Sequence, residues 1–103
     1  MFAIRPSRTG GPEVLVLAEY PTPTPGPDDV LVRTEAIGVN FIDVYHRRGL
    51  YPQPLPIPLG MEGVGIIEQV GAAVTTLRVG ERVGWCGASG FYATHVVMPA
   101  VKA

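Results

Sequence analysis

Residues 40–51 gather an amide, a carboxylate, two phenols and an imidazole in one short interval: Asn40, Asp43, Tyr45, His46 and Tyr51. Asn40 can donate and accept hydrogen bonds, Tyr45 and Tyr51 can donate a phenolic proton or stack on a planar ring, and His46 can shuttle a proton. Each also has a plain structural use. Asn40 can cap a short helix with Asp43 returning its carboxylate at the third helical position, Tyr45 can form an apolar wall, Tyr51 can pack in a loop, and His46 can be a solvated helix residue.

Other chemistries find less support. Gly63-x-Gly65 precedes a β run, and Gly84, Gly87 and Gly90 miss the dinucleotide spacing, so nothing here would cradle a pyrophosphate at the start of a helix. Cys86, His46 and His95 show no local ligand spacing for zinc. Ser89, in Ala88-Ser89-Gly90, lacks a nucleophile elbow.

The elements that must carry residues 40–51 are mostly strands. Thirteen glycines and eleven prolines fall between apolar runs, which is the punctuation of a turn-rich β domain. Strands are predicted over residues 2–5, 14–19, 29–39, 64–71, 82–86 and 91–98. In the third, Val30, Val32, Thr34 and Ala36 fall on one face and Leu31, Arg33, Glu35 and Ile37 on the other. Asn40 opens a short helix with Phe41, Val44 and Tyr45 as its apolar stripe, and Gly49 stops it. Prolines at every second position from 21 to 27 and from 52 to 58 dictate extended surface connections. The expected fold class is mainly β, a partly closed barrel with a short helix.

Composition narrows function further. The 103 residues, 47% of them hydrophobic, suffice for one domain with one core. Eight Lys and Arg against nine Asp and Glu give a net charge of -1, which leaves no field for nucleic acid; Arg5/Arg8 and Arg47/Arg48 read as solvated rims. The single cysteine, Cys86, excludes an internal disulfide and is expected to be a small buried or half-buried side chain. No apolar run is long enough for a membrane span or signal peptide, so the expectation is a soluble, cytoplasmic protein with no membrane partner.

The ordered motifs Gly10-Gly11-Pro12-Glu13-Val14-Leu15, Gly38-Val39-Asn40-Phe41-Ile42-Asp43-Val44-Tyr45, Arg48-Gly49-Leu50-Tyr51, Pro58-Leu59-Gly60-Met61-Glu62-Gly63-Val64-Gly65 and Val79-Gly80-Glu81-Arg82-Val83 together resemble the quinone oxidoreductases of the zeta-crystallin type, in the medium-chain dehydrogenase/reductase superfamily. The resemblance spans nearly the whole chain. It implies a GroES-like catalytic barrel, of which residues 1–103 are the N-terminal portion, with the Rossmann cofactor domain absent from this chain. It also implies hydride delivery from NADPH, or NADH, to a quinone or related enone.

In the superfamily's zinc alcohol dehydrogenases a cysteine stands where Asn40 matches, and a His-Glu pair where Met61-Glu62 matches. The resemblance therefore points to the zinc-independent branch, with no metal ligands. By the same resemblance Asn40, Tyr45 and Tyr51 are the catalytic candidates, and Asn40, Asp43 and Tyr45 the cofactor-binding ones, with Asp43 in support. Barrel strands contributed from outside these residues would leave open edges here, so a homodimer or edge-mediated self-association is expected. The competing expectation is a noncatalytic GroES-like structural or interaction module.

Overall fold

The computed structural model describes all 103 residues. Six strands, one helix and two short 3-10 turns follow in the order β1 (Phe2–Ile4), a turn at Pro12–Val14, β2 (Leu17–Glu19), β3 (Asp29–Ile37), α1 (Phe41–Arg48), β4 (Glu62–Val70), β5 (Arg82–Cys86), β6 (His95–Pro99) and a turn at Ala100–Lys102. Every pairing is antiparallel. The main sheet has the order β5-β4-β3-β6, and β1 and β2 form a separate two-stranded ribbon.

The ribbon is tied to the sheet through the segment before β6. Ala3 bridges Ala93, Ile4 N–H donates to the Tyr92 carbonyl at 2.8 Å, and Thr94 N–H donates to the Phe2 carbonyl at 2.8 Å. The result is a curled, unclosed sheet, as the mainly β, partly closed reading requires. Val30, Val32, Ile67, Val83, Phe91, Val96 and Met98 form its core. Burying one such side chain contributes about 1.5–3 kcal/mol, which makes this cluster the main anchor of everything attached to it.

Strand faces alternate as expected only in part. Register shifts against β4 fall between Leu31 and Val32 and between Thr34 and Ala36. Val30, Leu31 and Val32 are consequently all buried, and Ala36 is exposed. A bulge swings the strand, so the two-residue period does not carry through it.

The second strand is shorter than residues 14–19. Pro12 starts a tight turn whose carbonyl accepts Leu15 N–H at 3.1 Å, while the Glu13 carboxylate accepts Gly11 N–H at 3.0 Å. These local bonds hold Val14 out of the ladder and bury it. The last strand likewise begins at His95, because Phe91 and Tyr92 donate their N–H groups to Gly60 and Leu59 instead of to a strand partner. The proline-rich loop before β4 is more than a surface crossing: Ile57, between two of its prolines, and Leu59, just after the last, are fully buried, and Ile57 N–H donates to the Pro6 carbonyl at 2.8 Å.

Candidate functional site

Helix α1 starts where β3 runs out, and its first bonds explain its position. The Asp43 carboxylate accepts the Asn40 N–H at 2.9 Å through Oδ2, satisfying a group that the helix leaves open. The reciprocal leg of the capping box is in place too, with Asp43 N–H facing the Asn40 side chain, while the fully formed bond of that N–H goes to the Asn40 carbonyl at 3.0 Å. Gly49 ends the helix in the left-handed region, at φ 84°, with its N–H on the His46 carbonyl. A residue with a Cβ is strained in that conformation.

The helix buries its polar side. Its buried face carries Asp43, His46 and Arg47, whereas Phe41 is 82% exposed and Tyr45 is also exposed. Of the apolar stripe Phe41, Val44 and Tyr45 read from the sequence, only Val44 is half-buried; the other two face outward. His46 is corrected from solvated to buried, and Arg47 from rim to interior. Positions 43, 46 and 47 share one helical face, and that face is held by polar bonds. Arg47 Nε donates to the Gly10 carbonyl at 3.1 Å, and Gly10 N–H donates back to the Arg47 carbonyl at 2.9 Å.

Asp43 is the centre of this buried face. It is 4% exposed, and its Oδ2 accepts a second hydrogen bond, from the Tyr92 hydroxyl at 2.8 Å; its Oδ1 has no partner. Tyr92 stands among no residues singled out from the sequence. It lies 49 positions from Asp43, beyond the reach of any local spacing rule. Burial, first, and then the bond to the Asp43 carboxylate and its charge push the Tyr92 phenol above its ordinary range, while the Arg47 charge opposes them.

The outward side of α1 is aromatic. Tyr45 and Tyr51 meet with ring centroids 5.7 Å apart and planes at 87°, an edge-to-face pair. Asn40 is exposed at the head of the same helix. Of the sequence candidates, the structure pairs Tyr45 with Tyr51 and Asn40 with Asp43. It does not enclose all four in one cavity. The neighbouring concavity, about 470 Å³, is almost wholly apolar and is walled by Phe2, Leu17, Ile37, Val39 and Tyr92.

Elsewhere the side chains are less promising. Cys86 is exposed at the end of the edge strand β5, which corrects the expectation of burial. His95 Nε2 lies 3.3 Å from a Glu68 oxygen that shares its carboxylate with Arg33, an arrangement on the outer surface of the sheet. No three His, Cys, Asp or Glu side chains gather as a metal-ligand set. No helix is long and apolar enough to cross a membrane.

Comparison with known proteins defines the class first. Residues 26–103 match the alcohol dehydrogenase GroES-like domain. A quinone oxidoreductase of Pseudomonas aeruginosa is 54% identical over 95 residues, covering 90% of this chain and 29% of that protein. A 2-haloacrylate reductase of a Burkholderia species is 44% identical over 101 residues, covering 92% and 30%. The crystal structure of the Escherichia coli quinone oxidoreductase complexed with NADPH superposes with a TM-score of 0.94 at 40% identity, covering 99% of this chain and 32% of that one. The chain thus belongs to the alcohol dehydrogenase GroES-like domain family, and corresponds to the N-terminal GroES-like domain of the zinc-independent quinone oxidoreductases of the medium-chain dehydrogenase/reductase superfamily. It spans about a third of the length of these relatives.

Proposed function

We propose that these residues form the N-terminal part of the catalytic domain of a reductase that uses NAD(P)H, with NADPH the preferred donor, to reduce quinones or related unsaturated carbonyls without zinc. The observation that carries this reading is the inverted helix: α1 hides charge and presents Tyr45, with Tyr51 beside it and Asn40 at its head, as an aromatic wall. Such a surface fits the flat nicotinamide end of the donor and a flat acceptor. The chain offers no glycine-rich strand-to-helix turn for the pyrophosphate, so we place the nucleotide domain outside these residues. The names of the relatives, two quinone oxidoreductases and a 2-haloacrylate reductase, support the reaction class.

The bound dinucleotide would supply the hydride. The chain's own residues align the partners and keep water out, which is most of what this chemistry asks of a protein. Tyr45 and Tyr51 offer one ring face and one ring edge against which an acceptor can lie. Asn40 offers a carboxamide able to donate to an acceptor carbonyl and to accept from the nicotinamide amide. Asp43, buried beneath, holds the helix start on which Asn40 sits. In the whole protein, oxidation of NADPH should be followed with a simple quinone. Cofactor binding without turnover would reject the assignment. The 103-residue chain alone should show no stoichiometric NADPH binding by calorimetry.

The open apolar concavity favours a second reading, a noncatalytic interaction module. Mass measurement separates the two: a monodisperse monomer of this chain, with no bound partner, weakens that alternative.

A further inference from the structure

The motif Gly60-Met61-Glu62-Gly63 and the half-buried Tyr92 are unused by the reading above, and the structure joins Gly60 to Tyr92. Gly60 has φ 95°, and a Cβ built on it would lie 2.7 Å from Cδ1 of Tyr92 and 2.8 Å from its backbone nitrogen. Only a glycine lets the Tyr92 ring lie where it does. The backbone of Tyr92 is pinned as well: its N–H donates to the Leu59 carbonyl at 3.0 Å, and its carbonyl accepts Ile4 N–H at 2.8 Å. A phenol held at so many points has little freedom of its own.

That phenol and the Asn40 N–H donate to the same atom, Oδ2 of Asp43, at 2.8 and 2.9 Å. With Oδ1 buried and unpartnered, these two bonds are all that orients the carboxylate. Asn40, in extended backbone at the head of α1, takes its position from that carboxylate. We propose that Tyr92 is a positioning residue of the reductase site: seated on Gly60, it fixes Asp43 and through Asp43 the orientation of Asn40 towards the acceptor and the nicotinamide. This rests on the functional reading given above. Removing the hydroxyl leaves the carboxylate with a single donor in a dry site, free to turn about its Cβ–Cγ bond. The Asn40 amide then loses its fixed acceptor, and small misplacements of an aligning group cost large factors in rate.

The test is a double-mutant cycle in the whole protein with Tyr92→Phe and Asn40→Ala. Tyr92→Phe should lower kcat about tenfold and leave NADPH affinity within about twofold. In the Asn40→Ala background it should cost less than about twofold, because its target is gone. Asp43→Asn, which keeps the shape but not the charge, should give the same pattern. Equal losses in both backgrounds would show that Tyr92 acts independently of Asn40 and overturn the proposal. A Tyr92→Phe protein that fails to fold would overturn it too, by making the hydroxyl structural. Wild-type kcat in Asn40→Ala alone would instead remove the functional reading, and this proposal with it.

One readout needs no catalysis. Asn40 is the only asparagine of this chain, so [15N]asparagine labelling reports one backbone amide and one carboxamide. Tyr92→Phe should move both signals. Unchanged Asn40 signals in a folded Tyr92→Phe chain would overturn the relay.

Discussion

Tyr45 and Tyr51 pack edge to face across the end of α1, one in the last turns of the helix and the other two residues past its glycine stop. The positive edge of one ring meets the negative face of the other, which contributes about 0.5–1.5 kcal/mol beyond simple burial. Both rings are exposed, so that energy is invested in orientation more than in the core. Tyr51→Ala should therefore raise KM for a quinone about three- to tenfold in the whole protein, with little change in NADPH affinity. Tyr51→Phe should keep the pair and cost little. Steady-state kinetics with the acceptor varied decide the matter, and equal losses in the two variants would move the role from ring to hydroxyl.

Tyr92 makes a prediction about alkaline pH. In the folded chain, burial and the Asp43 carboxylate hold its proton to higher pH than usual. An unfolded phenol ionises near about pH 10. The stabilisation is thus complete below that value and declines as pH rises from it towards the folded value. The slope is at most about 1.4 kcal/mol per pH unit, and solvent contact makes it smaller. Urea unfolding between about pH 8 and about pH 11 should show this loss in the native chain and a weaker one in Tyr92→Phe. Parallel curves for the two would contradict the assignment.

Much of this was legible from local sequence. Asn40 and Asp43 as helix start, Gly49 as helix stop and the strands β3 to β5 followed from capping chemistry and periodicity, because those signals act between near neighbours. The facing of α1 was not legible. Its apolar stripe obeys helical spacing, and spacing cannot say whether the stripe meets a core inside this domain or a surface left open. Here Val30, Val32 and Ile67 from the β-strands, with Phe91 from the loop before β6, had already filled the core, and the helix was anchored instead through Asp43 and Arg47. Tyr92 escaped for a related reason: its bond to Asp43 exists only after β6 has returned beside β3.

Gly60→Ala tests the seat of Tyr92 directly. The new methyl would meet the ring and the backbone of Tyr92 well inside contact distance, in a left-handed conformation that alanine resists. Because part of the obstruction is backbone, the clash cannot be relieved by turning one side chain. The expected cost is about 2–4 kcal/mol, at the upper end of single substitutions. Denaturant titration should show this as a lowered midpoint with an unchanged slope. A loss below about 0.5 kcal/mol would mean that Tyr92 has room to move and is not held as described.

Leu17, 65% exposed on β2, borders the apolar concavity together with Phe2, Ile37 and Val39. An edge strand with a greasy face invites pairing with another chain, and a lysine there blunts it. If the rest of the whole protein covers this face, one substitution should have opposite effects in two settings. In the 103-residue chain, Leu17→Lys should raise the monomer fraction seen by sedimentation or mass measurement. In the whole protein it should bury a charge without a partner and destabilise by about 2–4 kcal/mol. A neutral result in the whole protein would show that the face stays open to solvent there, and would favour a separate partner as its occupant.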